Sequence, residues 1–288
     1  MNQTNLDANY LRQWIGNKES IEETISAEPL HRMAATLDRA PRIIARGDAI
    51  PALWHWAYFL TPVRASDLGR DGHAALGEFM PPVPLPRRMW AGGQLKFNAP
   101  LRVGDKARRE SSVRDVWLKQ GRTGKLCFVE VEHRILVGDE LRFSEVHNIV
   151  YRDVKQPDEK KVLPPEAPGD AQWTREVVPS STLLFRYSAL TFNGHRIHYD
   201  LDFCRDEEGY PGLVFHGPLT ATMLLELAME HNPKQSLADY EFRAYSPLFD
   251  NAAFSLNGKM DGGNAVMWAA NPDKGLAMKA TVSFSPAI

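Results

Sequence analysis

The sequence predicts an α+β protein built as two halves, each a buried central helix wrapped by an antiparallel β-sheet. Three observations carry this. From Gly93 to Tyr151 apolar and polar residues alternate with a period of two, between glycine-containing turns. The same alternation returns from Ala253 to Phe284. Ahead of it, Pro218–Met229 is apolar at Leu219, Ala221, Met223, Leu224, Leu225, Leu227 and Ala228, and a helix with so little polar face has to be buried.

Taken in order, Asn9–Glu28 carries Leu11, Trp14, Ile15, Ile21 and Ile25 among charges, as a surface helix would. A second helix follows, with Leu30, Met33, Ala34 and Leu37 recurring before Pro41 stops it. Ile50–Leu60 is apolar nearly all round and reads as the buried helix of the first half. Gly77–Gly93 contains Pro81, Pro82, Pro84 and Pro86, which cannot donate to a strand ladder, so an ordered loop is expected. Strands are expected at Gln94–Leu101, Lys106–Leu118, Lys125–Val137 and Leu141–Tyr151. The turns between them lie at Val103–Asp105, Gln120–Gly124 and Gly138–Asp139. In the third strand Val129, Val131, Ile135 and Val137 share one face while Glu130, Glu132 and Arg134 take the other, the pattern of a sheet with one wet side.

Arg152–Asp170 holds Pro157, Pro164, Pro165, Pro168 and the charged run Asp158–Lys161, with few apolar anchors, and reads as a linker. The expected division is residues 1–155, a linker over 156–170, and residues 171–288. In the second half Ser180–Thr182 can cap a helix with Leu183, Leu184, Tyr187 and Leu190 inward, ending at Asn193-Gly194. Arg196–Asp200 then reads as extended, with Arg196 and His198 facing one way and Ile197 the other. Strands follow at Ala253–Lys259, Asn264–Ala270 and Gly275–Phe284. An internal repeat links the halves, since Lys96-Phe97-Asn98-Ala99-Pro100-Leu101 is echoed by Glu241-Phe242-Arg243-Ala244-Tyr245-Ser246-Pro247-Leu248.

Composition removes several function classes. The 288 residues carry a net charge of -2, so no global basic field suggests nucleic acid. Two cysteines, Cys127 and Cys204, are too few for a disulfide framework or a cysteine zinc site, which points to a reducing, cytoplasmic setting. No apolar run reaches membrane-span length. Neither G-x-S-x-G nor a nucleotide-binding glycine pattern occurs, and no cofactor is expected.

Chemistry concentrates at Leu190–Asp200, where Asn193, His195, Arg196, His198 and Asp200 fall within eleven residues. His195 and His198 alone lack a third metal ligand nearby in sequence, and no metal is expected. The run Phe192-Asn193-Gly194-His195-Arg196-Ile197-His198, followed by Gly209-Tyr210-Pro211-Gly212 and Val214-Phe215-His216-Gly217-Pro218-Leu219, resembles the paired motifs of the MaoC-like (hydratase-2) enoyl-thioester hydratases. With Pro84–Gly93 added, the chain is similar to double hot-dog mesaconyl-C4-CoA and itaconyl-CoA hydratases and fungal mitochondrial 3-hydroxyacyl-thioester dehydratases, from about Leu53 to Phe284. It departs from the hydratase-2 pattern at three places: Asn193 stands for an aspartate, His195 for an asparagine and Arg196 for a proline.

The resemblance implies a double hot-dog fold and reversible hydration of an enoyl-CoA by the second half, the first half being non-catalytic with a long buried helix beside the acyl group. His198 is then the acid/base, Asn193 the group that orients water, and the Gly217 amide at the start of the central helix the oxyanion donor. A carboxamide cannot relay protons, so His198 is expected to serve both half-steps. The expected partner is an acyl-CoA, whose phosphates or acyl carboxylate would meet Arg88, Arg186 or Arg196, and a homodimer is admitted. Trp90, Tyr199 and His216 complete the expected substrate contacts, with His216 fixing its loop. Arg196, facing with His198, would favour a dicarboxylic acyl group. The alternatives are an acyl-carrier-protein dehydratase, a hot-dog thioesterase and a non-catalytic acyl-thioester binder.

Overall fold

The computed structural model describes residues 6–121, 124–153 and 163–285. Along the chain lie α1 (Ala8–Leu11), β1 (Lys18–Thr24), α2 (Glu28–Thr36), β2 (Arg87–Phe97), β3 (Lys106–Gly121), β4 (Gly124–Val137) and β5 (Glu140–Arg152). After these come β6 (Trp173–Val177), α3 (Ser181–Leu190), α4 (Gly217–His231), β7 (Leu237–Ala244), β8 (Phe254–Asp261), β9 (Asn264–Ala270) and β10 (Leu276–Phe284). The strands form one antiparallel sheet in the order β1-β3-β4-β5-β2-β7-β10-β9-β8-β6. Read outward from its centre, the two ends repeat the same sequence of strands. The repeat visible in the chain is the seam itself, because β2 and β7 pair with each other, from Gly92 opposite Arg243 to Lys96 opposite Asp239. Close approach fixes Gly92 there, as a Cβ on it would lie 2.5 Å from the Phe242 carbonyl oxygen.

In the second half α4 packs on β7–β10 as its composition demands. Leu219, Leu224, Leu225 and Ala228 are buried against Leu256, Met267, Ala280 and Val282, and each buried leucine stabilises by roughly 1.5–3 kcal/mol. Tyr240 from the seam donates its hydroxyl to the Ala221 carbonyl at 2.8 Å, satisfying the one polar atom it brings inside.

Among the described residues the first half has no central helix. Ile50–Leu60 is buried, as its hydrophobicity requires, but contains only a 3-10 turn at Trp54–Ala57, flanked by left-handed backbone at Leu53 (φ 69°) and Phe59 (φ 54°). Its polar atoms explain why. Trp54 donates to Glu226 and Trp56 to Glu145, His55 lies 3.2 Å from Glu145, and the Phe59 amide reaches Glu23. Partners in so many directions cannot be met from one helical stripe, and the carboxylates would be costly to leave unpaired. The sheet face beneath is correspondingly polar. Glu145, 3% exposed, sits between His55 and His147, while His133 meets Ser111 at 2.8 Å.

Three further expectations need correction. Asn9–Glu28 is not one helix, since Lys18–Thr24 forms edge strand β1 on β3, with Glu19, Ile21 and Glu23 turned inward; its charges hide the period of two. The proline loop ends at Pro86, and Arg87–Gly93 already belongs to β2, because only the prolines lack ladder donors. Within that loop Val83 and Leu85 cover a second core made by Val116, Cys127, Val129 and Tyr151. Of the linker, residues 154–162, including Pro157 and the charged run, lie outside the described residues, as do two residues of the Gln120–Gly124 turn. Residues 163–170 are tied down by backbone instead of apolar side chains: Leu276 donates to the Pro165 carbonyl, and Ala167 donates to that of Lys274.

Candidate active site

Residues after α3 make a compact turn rather than a strand. Ser180 caps the helix by accepting the Leu183 amide, as the sequence indicates. At its other end the left-handed residue is Phe192 (φ 50°), neither Asn193 nor Gly194. Asn193 is used differently: its Oδ1 accepts the His195 amide at 3.0 Å, closing an Asx turn. Arg196–His198 then forms a 3-10 turn. This overturns the extended geometry and separates Arg196 from His198, because a turn does not alternate its side chains as a strand does. Arg196 donates from Nη2 and Nε to one oxygen of Asp200, Oδ2, at 2.8 and 3.0 Å, with its guanidinium 4.2 Å over Phe203, and it does not line the cavity that holds His198.

His198 is 6% exposed and fixed on two sides. Its Nδ1 lies 2.7 Å from the Val214 carbonyl oxygen, so Nδ1 carries the proton and Nε2 keeps the lone pair. Its ring stacks on His216 at 3.6 Å between centroids, and His216 Nε2 meets Ser188 Oγ at 2.8 Å. Burial lowers the His198 imidazole to about 4, against the opposing hydrogen bond to Val214. His195 and His216 are held well below the usual range by burial and by neighbouring imidazoles. All three are therefore neutral at pH 7, which suits a base and not a resting acid.

The cavity beside His198 encloses about 400 Å³. Its wall includes Asn193, His195, Ile197, His198, Tyr210, Val214, Gly217 and Thr220 from the second half, facing His73, Arg88, Trp90, His147 and Arg152 from the first. Gly217 is the first residue of α4, so its amide lacks an intrahelical acceptor and sits at the positive end of the helix. His216, Gly217, Arg88 and Trp90 are thus at or beside the cavity, as the sequence expects. Arg186 is exposed on α3, and Tyr199 lies at the surface donating to the Gly194 carbonyl; neither lines it. Arg88 has no carboxylate partner among the described residues, and Arg152 donates to the Tyr210 hydroxyl at 3.4 Å while its charge reaches Glu208. Arg87, one residue away, is instead buried against Glu208.

Sequence reasoning placed Arg88 and Trp90 here but missed the rest of the first half's share of this wall. The loop Gly69–Ala74 crosses to the motif, where the Arg196 amide donates to the Asp71 carbonyl at 2.9 Å. It carries Asp71 and His73, joined Oδ2 to Nδ1 at 2.9 Å, with the His73 ring 4.3 Å from that of His195. The signal was available: an aspartate and a histidine one residue apart among glycines form a site-like loop. Asp71, His73 and His195 are close enough to share a cation, as are His133, Glu145 and His147. Neither set is the His195–His198 pair weighed from spacing, and charged arginines beside both, Arg88 and Arg109, oppose a cation. No described helix is long and apolar enough to cross a membrane.

Comparison with known proteins agrees with this architecture. Residues 53–250 match the family described as hydroxyacyl-thioester dehydratase type 2. The chain is 44% identical to mesaconyl-C(4)-CoA hydratase of Chloroflexus aurantiacus over 269 residues, covering 93% of this chain and 96% of that protein. Among solved structures it resembles a MaoC-like dehydratase from Phytophthora capsici, with TM-score 0.66, 10% identity, and 97% and 98% of the two chains covered. It also resembles a Mycobacterium tuberculosis protein described as having a double hotdog fold, with TM-score 0.57, 13% identity, and 94% and 96% covered. The fold is a double hot-dog whose first half has given up its central helix, and the chain belongs to the hydroxyacyl-thioester dehydratase type 2 family of hydratases and dehydratases.

Proposed function

We propose that this enzyme reversibly hydrates a short dicarboxylic enoyl-CoA, of the mesaconyl-C4 or itaconyl type, to a citramalyl-CoA type of product. The observation that carries the reading is the state of His198: buried, neutral, proton fixed on Nδ1 by Val214, Nε2 left as the acceptor beside the cavity. Water bound there gives its proton to Nε2 as its oxygen bonds to C3. The C2–C3 π pair shifts onto the thioester, whose oxygen accepts from the Gly217 amide at the positive end of α4, and the pair's return to C2 takes up one proton there, completing the addition of water. Asn193, with Oδ1 held by the His195 amide, has its NH₂ left to orient the water.

The dicarboxylic preference rests on Arg88, a guanidinium on the wall of a largely apolar cavity with no carboxylate bonded to it among the described residues, and on Arg152 on the same wall, whose charge also reaches Glu208. Such a site favours an anion, and a free acyl carboxylate brings one at the required depth. The relative at 44% identity is named for such a substrate, which supports the same reading. The test is loss of conjugated-enoyl absorbance with mesaconyl-C4- and crotonyl-CoA, chromatographic detection of the hydrated product from itaconyl-CoA, and a thiol assay. Hydration without thiol release is expected, and His198→Ala should abolish it; equal behaviour of the variant and wild type would sink the assignment.

A further inference from the structure

We infer that His73, held by Asp71, is a second proton carrier, protonating C2 while His198 takes the proton from water. This rests on the hydration reading. Hydration needs a proton removed at one place and supplied at another, and the residue at the motif's aspartate position here is Asn193. It cannot move a proton, and its Oδ1 is already bonded to the His195 amide.

The first half supplies what is missing. His73 shares the cavity wall with His198, although 125 residues separate them in the chain (198 minus 73). Asp71 grips it twice, Oδ2 to Nδ1 at 2.9 Å and Oδ1 to the His73 amide at 3.1 Å, leaving Nε2 as the working nitrogen. Among the grouped imidazoles of His73, His195, His198 and His216, His73 alone has a carboxylate partner in the described residues. A carboxylate behind an imidazole stabilises the imidazolium. Burial raises the Asp71 carboxyl, but the hydrogen bond and charge of His73 outweigh it and keep Asp71 ionised.

The groups facing His73 are Asp71 on its own loop, Arg88 from β2, and His195 and His198 from the turn after α3. Burial and then Arg88 oppose its protonation, with Asp71 favouring it. Together these hold His73 down to about 4 before substrate binds. A substrate carboxylate paired with Arg88 cancels the arginine's share of the opposition and leaves burial against Asp71, so a dicarboxylic substrate itself promotes the proton on His73. The step then balances. Water's O–H breaks with its proton going to His198 Nε2, the C3–O bond forms, the π pair moves onto the thioester, and the His73 N–H breaks as C2–H forms. His195 lies between the two, 4.3 Å from the His73 ring and 5.5 Å from that of His198, and returns the proton from His198 to His73.

The experiment compares wild type, His73→Gln and Asp71→Asn over a pH series, with thermal melting to confirm folding. His73→Gln should lower kcat by ~10²–10⁴-fold and remove the alkaline limb of its pH profile, where the imidazolium is lost. KM should stay within about threefold, as expected for a group acting in the transition state. Asp71→Asn keeps the imidazole and should move that limb to lower pH, and it decides the matter if His73→Gln does not fold. The inference is overturned if kcat is unchanged, if the whole effect lies in KM, or if the alkaline limb survives in His73→Gln. Wild type inactive on all three enoyl-CoAs would instead remove the hydration reading, and the role of His73 with it.

Discussion

Gly72 and Gly194 pack backbone against backbone. A Cβ on Gly72 would lie 2.0 Å from the Gly194 carbonyl oxygen, and one on Gly194 would lie 2.7 Å from that of Gly72. This contact seats the first-half loop carrying Asp71 and His73 on the second-half turn carrying His195 and His198. Gly194→Ala is expected to lift that loop at a stability loss of about 1–3 kcal/mol. Displacement near 1 Å at a reacting centre costs about 10²-fold in rate. Activity should therefore fall far more than the melting temperature, and comparing kcat with thermal unfolding checks this.

Arg88→Gln tests the substrate class. A charge-assisted contact to a carboxylate is worth about 1.5–3 kcal/mol, so kcat/KM for mesaconyl- or itaconyl-CoA should drop by about 10- to 100-fold. Crotonyl-CoA, which has no second carboxylate, should show no such loss, and should gain if relief of the Arg88 charge favours the proton on His73. A parallel loss on both would assign Arg88 to coenzyme A or to the scaffold.

Ser188→Ala removes the partner of the His216 Nε2, and His216 is fully buried with its Nδ1 unpartnered among the described residues. The orphaned nitrogen should destabilise the protein by about 1–3 kcal/mol. Since His216 is the stacking face for His198, kcat should decline as well. Denaturant midpoints and single-substrate kinetics read the two effects separately.

Stability should fall steeply in mild acid. Burial depresses His73 and His198 to about 4 and takes His133, His195 and His216 well below the ordinary value. In the unfolded chain a histidine takes its proton near pH 6.5. Between those limits the unfolded state binds protons that the folded state refuses, so stability is full above about pH 6.5 and lost as pH falls toward 4. For His198 alone this amounts to about 3 kcal/mol at pH 4. Glu145 has the same sign lower down. Burial raises its carboxyl, the neighbouring imidazoles outweigh that, and its stabilisation disappears as pH drops below the ordinary carboxylate range. Urea midpoints between pH 8 and 4 should be flat at first and then decline.

Glu145→Ala would leave His55, Trp56 and His147 facing an empty site in the first half. Breaking such a buried set typically costs about 3–5 kcal/mol. The measurement is chemical denaturation at pH 7.5, and a loss under 1 kcal/mol would show the cluster to be loosely held.

The strands of both halves, α4 and the repeat that forms the seam were legible because burial writes a period of two into β4 and leaves α4 almost no polar face. The turn of the candidate site was legible through His198 and Gly217, whose chemistry and spacing sit close together in the chain. Ile50–Leu60 misled because apolar residues announce burial without announcing backbone, and carboxylates distant in sequence, Glu23, Glu145 and Glu226, decide its course. Arg196 misled because its direction depends on a 3-10 turn imposed by the Asn193 side chain. His73 escaped because Asp71-Gly72-His73 marks a site-like loop without recording that it lands beside Gly194.

The ladder between β2 and β7 makes this chain a fused pair rather than two domains on a string. In a symmetric dimer of identical subunits each substitution enters both sites at once, so no site can change without its twin. Within one chain a change enters once. One half could therefore lose its helix and receive Trp54, His55 and Trp56 around a buried carboxylate, while the other kept α4 and the amide at its start.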